Sequence, residues 1–223
     1  MSTKIGPLRT LLRMRDVALA LYEADKYGES LSKTQLQKFV YLVDSVTLLY
    51  ALLPIRTGHQ TYKHGPFDGA IQNAADCLAF RGFVKLASKK RGPQDELFLR
   101  YALTQAGKHW VNILLQSNSG QDRGRMVAAV ASQVNVHGWP RLRQLVYAEP
   151  TYAFSRHRGY GQPLALLAPE ENSAGYLVRL IARVIRQGRR DDVISPEIVV
   201  RVFFQYLDKY SSSINTSALA VEY

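Results

Sequence analysis

The chain has 223 residues, enough for one large domain or two small ones, and 47% of them are apolar, enough to build a real core. Lysine and arginine number 29 against 18 aspartates and glutamates, a formal charge of +11 that attracts polyanions: nucleic acid, an anionic membrane surface or an acidic protein. A single cysteine, Cys77, excludes an internal disulfide and a cysteine metal cage, and among Ala74, Ala75 and Leu78 it reads as a small core residue.

The beginning, Met-Ser-Thr-Lys-Ile-Gly-Pro, carries no signal-peptide core, and the longest apolar run, Val46 to Pro54, is too short to span a bilayer. The expected location is the cytoplasm, without membrane association. Leu8 to Tyr27 has the helical period, and Gly28 is its stop. Ser32 followed by Gln35 is a capping-box pattern that opens a second helix, with Leu31 and Leu36 placed as a hydrophobic staple. Leu36, Phe39, Val40, Val43 and Val46 keep one face. Leu48 to Leu53 is apolar all round, so a buried helix end is expected there, closed by Pro54. Thr57 to His64 reads as a short strand, punctuated by Gly65-Pro66. Asp68 is an N-cap for a third helix that Gly82 closes. Phe83 to Ala87 and Leu97 to Leu103 alternate around Lys89-Lys90-Arg91-Gly92-Pro93, which predicts a hairpin. Thr104 caps a fourth helix.

Helix, helix, short strand, helix, hairpin, helix is the order of a winged-helix domain, with the third helix as recognition helix and the basic hairpin as wing. The polar stretch Gln116 to Gly124 is the best linker in the chain. The expected organisation is therefore a winged-helix-like domain over 1–117 and a helical C-terminal region over 118–223. The fold class is mainly α with a small β-hairpin. Beyond the linker, Met126–Val136, Arg141–Tyr147 and Ala174–Gln187 read as helices, and Ser195-Pro196-Glu197 opens a last one. Pro150 to Pro169 reads as irregular, and the chain from Ser211 as a loose tail.

Leu36-Gln37-Lys38-Phe39-Val40-Tyr41-Leu42, then Tyr62-Lys63-His64-Gly65-Pro66-Phe67, together resemble the "LQKxxY … YGP" pattern of the Panacea and SocA-like antitoxin families, with His64 where tyrosine is usual. Tyr147-Ala148-Glu149-Pro150-Thr151-Tyr152 resembles a "YxxYP" segment of the same group, with Glu149 where an aromatic is common. The resemblance covers roughly residues 30 to 157. It implies a winged-helix protein of prokaryotic conflict systems that binds rather than catalyses. One setting is the middle component of an ABC-three-component, Lamassu-type anti-phage complex, with an SMC-like ATPase and an effector as partners. The other is a stand-alone antitoxin or DNA-binding regulator whose partner is a toxin. Duplex DNA is a further candidate partner. Within the motif, Lys38 is either a solvated side chain or a contact to phosphate or partner. Tyr41 reads as a core aromatic whose hydroxyl finds a partner, and Gly65-Pro66 as a tight turn.

Two basic clusters are candidate binding surfaces. Residues 81 to 108 hold seven basic side chains, including Lys85, Lys89, Lys90 and Arg91, against Asp95 and Glu96. Contacts of such a wing to phosphate would be salt-dependent and blind to base sequence. Arg179, Arg183, Arg186 and Arg190, spaced 4, 3 and 4, form one helical stripe with no acid between Glu171 and Asp191 to pair along the helix. Their forked guanidinium groups suit carboxylate or phosphate, and the stripe is expected to face away from the apolar side. The five histidines are not paired at metal-ligand spacing, the carboxylates are scattered, and no phosphate-loop, dinucleotide or nucleophile-elbow motif is present. The sequence thus points to no enzyme, no cofactor and no metal.

Overall fold

The computed structural model describes residues 7–50, 58–91, 97–166, 172–187 and 194–219, with the side chains of 7, 87–91, 97–98 and 213–219 left aside. In chain order the elements are α1 (Pro7–Asp25), β1 (Leu31–Ser32), α2 (Lys33–Ser45), a 3-10 turn (Thr47–Tyr50), α3 (Gly69–Phe80), β2 (Val84–Arg91), β3 (Leu97–Leu103) and α4 (Gln105–Leu114). The second half holds α5 (Asn118–His137), a 3-10 turn (Trp139–Arg141), α6 (Leu142–Ala148), α7 (Pro150–Arg156), α8 (Ser173–Gln187) and α9 (Pro196–Leu219). The protein is mainly α with one small antiparallel sheet of strand order β1-β3-β2.

The local signals act as the chemistry dictates. Ser32 and Gln35 form the reciprocal capping box that opens α2. Asp68 caps α3 through the Ala70 N–H, Thr104 caps α4 through the Gly107 N–H, and Gly82 takes the left-handed φ of +75° that ends α3. The hairpin pairs Val84 with Leu103 and Arg91 with Leu97, with a register irregularity between Leu86 and Ser88.

The third strand is not at 57–64, where the sequence reads a short strand. The described part of that stretch contributes only two isolated bridges, Gln60 with Phe67 and Gln60 with Pro163. The sheet takes Leu31 and Ser32 instead, pairing with Tyr101 and Arg100. Two residues suffice because Leu31 is buried under the sheet and the Arg100 Nε donates to Ser30 Oγ at 2.9 Å, tying the edge by a side chain. Helix α2 stops at Ser45 and continues as the 3-10 turn, with Leu48 partly exposed; residues 51–57 lie outside the described set.

The expected linker at 116–124 is helical from Asn118 on, as the first part of α5. Ser117 caps α5 through the Gly120 N–H at 3.1 Å. A β-carbon on Gly120 would sit 1.9 Å from the Leu114 carbonyl oxygen, so the glycine is what lets α5 start directly against the end of α4. Arg123, polar in the sequence, is fully buried. One continuous core crosses the expected boundary, joining Val17, Leu21, Phe39 and Val43 to Val130, Leu145, Phe203 and Phe204. Residues 150–156 are helical, not irregular, because the Glu149 carboxylate accepts the Thr151 and Tyr152 N–H groups while Pro150 sits at the first helical position. From Ser211 the chain stays in α9 as far as Leu219.

Candidate partner-binding site

Helix α8 starts on a built cap. The buried Asn172 accepts the Gly175 N–H at 2.7 Å, and Thr151 Oγ1 of α7 accepts the Ala174 N–H at 3.0 Å. Its inner face buries Ala174, Gly175 and Val178, with Leu177, Ile181, Ala182 and Ile185 packed against the core, and its neighbours are α7, α9 and the Thr47–Tyr50 turn. A β-carbon on Gly175 would meet Leu48 Cδ1 at 2.8 Å, so this glycine sets how closely α8 lies on that turn.

The outer face has the composition of a contact surface. Arg179, Arg183 and Arg186 are exposed, and no described carboxylate pairs with any of them. The Arg179 Nε donates to the Gly175 carbonyl at 3.2 Å. Beside this row run Tyr176, Leu180 and Val184, spaced by four and 66%, 40% and 58% exposed. The expectation that the arginines face away from the apolar side is corrected: exposed apolar residues run beside them. So much of α8 is apolar that the core takes one part of it and solvent receives the rest. Tyr176, Arg179, Leu180 and Arg183 line a shallow cleft of about 230 Å³. Arg190 lies outside the described residues.

The remaining expected contacts are not brought together with this face. Lys85 is exposed on β2, while Lys89, Lys90 and Arg91 lie further along that strand, their side chains outside the described set. The hairpin packs on α1, α2, α3 and α4, whereas α8 lies on α7, α9 and the Thr47–Tyr50 turn. Helix α3, which the winged-helix order makes the recognition helix, contains no lysine or arginine; its exposed positions include Asn73, Asp76 and a fully presented Phe80.

Lys38 is not a solvated side chain. It is 2% exposed on α2, and its ammonium donates to the His64 carbonyl. Burial, followed by the neighbouring Arg143 guanidinium, pulls its pKa down to about 8. Gly65 packs against it with a φ of +112°, and a β-carbon there would come within 2.8 Å of Lys38 Nζ. Tyr41 is a core aromatic, as expected, and its hydroxyl donates to Glu149. Burial pushes the Glu149 carboxyl above its ordinary value, against the hydrogen bonds from Tyr41, Tyr152 and Thr151.

Beneath these surfaces lies an ionic cluster not foreseen from the sequence. The buried Arg13 guanidinium reaches Asp16 at 3.2 Å, Asp44 at 2.7 Å and Asp68 at 3.1 Å. Arg123 of α5 holds Asp16 with two hydrogen bonds of 2.9 Å and Asp44 with one of 2.8 Å. His59 Nε2 lies 2.9 Å from Asp44. Burial alone would raise the Asp44 carboxyl, but Arg13, His59 and Arg123 outweigh it and hold it far below the usual carboxylate range. The cluster ties α2, which carries residues 36–42, to α1, to the N-cap of α3 and to α5. Its sequence trace is slight: Arg13 and Asp16 three apart within an apolar helix, and Asp44 in the middle of Leu42-Val43-Asp44-Ser45-Val46.

Among the described residues no group of three or more histidine, cysteine, aspartate or glutamate side chains is placed to hold a metal ion. No described helix is long and apolar enough to cross a membrane. A comparison with protein-family models finds no match, and neither does a comparison with curated proteins.

Proposed function

We propose that this chain is a non-catalytic binding subunit that docks an acidic, amphipathic segment of a protein partner on the outer face of α8. The observation that carries this reading is the paired rows on that face: three arginines that no described carboxylate pairs, beside Tyr176, Leu180 and Val184. Contacts to a phosphate backbone alone leave a row of exposed aliphatic and aromatic side chains uncovered. A partner helix with apolar anchors and flanking acids uses both rows. The absence of any cation on α3 argues in the same direction, because a recognition helix that approaches a duplex needs positive charge to meet phosphate.

The motif resemblance supplies the setting: a winged-helix-like accessory subunit of a prokaryotic anti-phage complex, joining an SMC-like ATPase to an effector or to DNA. Co-expression with the products of neighbouring genes tests this, with affinities measured on purified proteins. An SMC-like ATPase as the bound neighbour supports the subunit reading, and a small toxin supports the antitoxin reading. Arg183→Glu with Arg186→Glu should remove the partner in either case. Loss of DNA retention with intact protein assembly would overturn the protein-docking reading.

A further inference from the structure

The α8 reading leaves the motif lysine unused, and its surroundings are those of an incomplete ion pair. We propose that the cleft between the first turns of α2 and the 60–67 loop binds an anionic group, carboxylate or phosphate, carried on a flat apolar body, with the Lys38 ammonium as its counter-ion.

The cleft has a volume of about 310 Å³, the size of a small-ligand site. Lys33, Lys38, Tyr62, His64, Pro66 and Phe67 are among its walls, and no described acidic residue is. Lys38 is the buried cation at its wall. Of its three N–H donors, one is taken by the His64 carbonyl, and no described carboxylate pairs with it. The charge that acts on it, Arg143, has the same sign. A buried ammonium without a counter-ion is costly, whereas one completed by an anion is not. The lining adds the second half of the specificity. The Tyr62 ring is half exposed and lies 5.4 Å from Phe67, a face against which a planar group can stack. Gly65 is fixed here by its φ of +112°, which strains any side chain, and a β-carbon would come within 2.8 Å of the ammonium. Lys33, exposed on the rim, attracts an anion from solvent without being buried itself.

The test uses the full chain with carbon-13-labelled lysine, titrated with phenylacetate, phenyl phosphate and, as a neutral control, benzyl alcohol. The expected result is a saturable shift of the Lys38 Cε resonance with at least one of the two anions and none with the alcohol. Which anion binds tells a carboxylate source from a phosphate source. Lys38→Met should weaken that binding by about tenfold or more, measured by calorimetry. Tyr62→Ala, at an exposed position that leaves the fold intact, should weaken it severalfold and keeps the proposal testable if the lysine variant does not fold. The proposal fails if neither anion moves the Lys38 resonance, if the alcohol moves it equally, or if Lys38→Met or Tyr62→Ala binds as tightly as the parent.

Discussion

Lys38→Met should stabilise the protein at neutral pH, although it removes a buried hydrogen bond. The fall of the Lys38 pKa from its ordinary 10.5 to about 8 means that the folded chain disfavours the ammonium relative to the unfolded chain. At about 1.4 kcal/mol for each pH unit, the cost of carrying the charge is about 3 kcal/mol. Methionine removes that cost and leaves the His64 carbonyl without its donor, which returns about 1 kcal/mol. The net gain is about 2 kcal/mol. The sign follows from proton uptake. Between about pH 8 and 10.5 the unfolded chain holds the Lys38 proton and the folded chain has released it, so stability rises with pH in that window. The cost is therefore fully present below pH 8 and gone above 10.5. Urea denaturation of both proteins across this range checks the claim. The variant should be the more stable at neutral pH, with the difference shrinking as the pH rises past 8. A variant less stable at neutral pH, by an amount independent of pH, would refute the reasoning.

The ionic cluster gives two further expectations. Arg123→Met leaves Asp16 and Asp44 short of a buried partner and should cost about 3–5 kcal/mol in urea or thermal unfolding. The Asp44 and Asp68 carboxyls are depressed against burial by their arginine and histidine neighbours, so their contribution is fully present above about pH 4, the unfolded value, and is lost as the pH falls through their folded values. Below pH 4 the parent should lose stability steeply, and Asp44→Asn, already destabilised at neutral pH, should show a flatter acid limb; equal limbs would remove Asp44 from the account.

Much of the local architecture was legible. Ser32, Asp68 and Thr104 mark helix starts because a short polar side chain before an apolar period has one favourable use. The hairpin was legible because alternation flanks a Gly-Pro turn. The third strand was not, because two residues carry no period, and Leu31-Ser32 reads equally well as a staple and cap. The linker reading of 116–124 fails for a definite cause: glycines that permit close packing and an arginine that enters a buried ion cluster look, in sequence, like a solvated linker. The same ambiguity hid Lys38, whose burial depends on Gly65 and the His64 carbonyl some 26 residues away. The arginine stripe was visible from its spacing, but the apolar row beside it was not. Periodicity shows that Leu180 and Val184 are apolar, and only the packing of α8 on α7 and α9 decides that they are exposed.

The docking of an acidic partner on α8 is tested most directly by the affinity of the Arg183→Glu, Arg186→Glu variant for the co-expressed neighbouring protein, measured by calorimetry beside the parent. Close, desolvated arginine–carboxylate pairs couple by roughly 1.5–7 kcal/mol, whereas solvated ones contribute about 0–1 kcal/mol. Both arginines are exposed in the free chain, so the fold and its unfolding midpoint should be unchanged. The account predicts a loss of at least about 3 kcal/mol, roughly a hundredfold in Kd. A folded variant that binds its partner as tightly as the parent would contradict it and leave the stripe a solvated helix face.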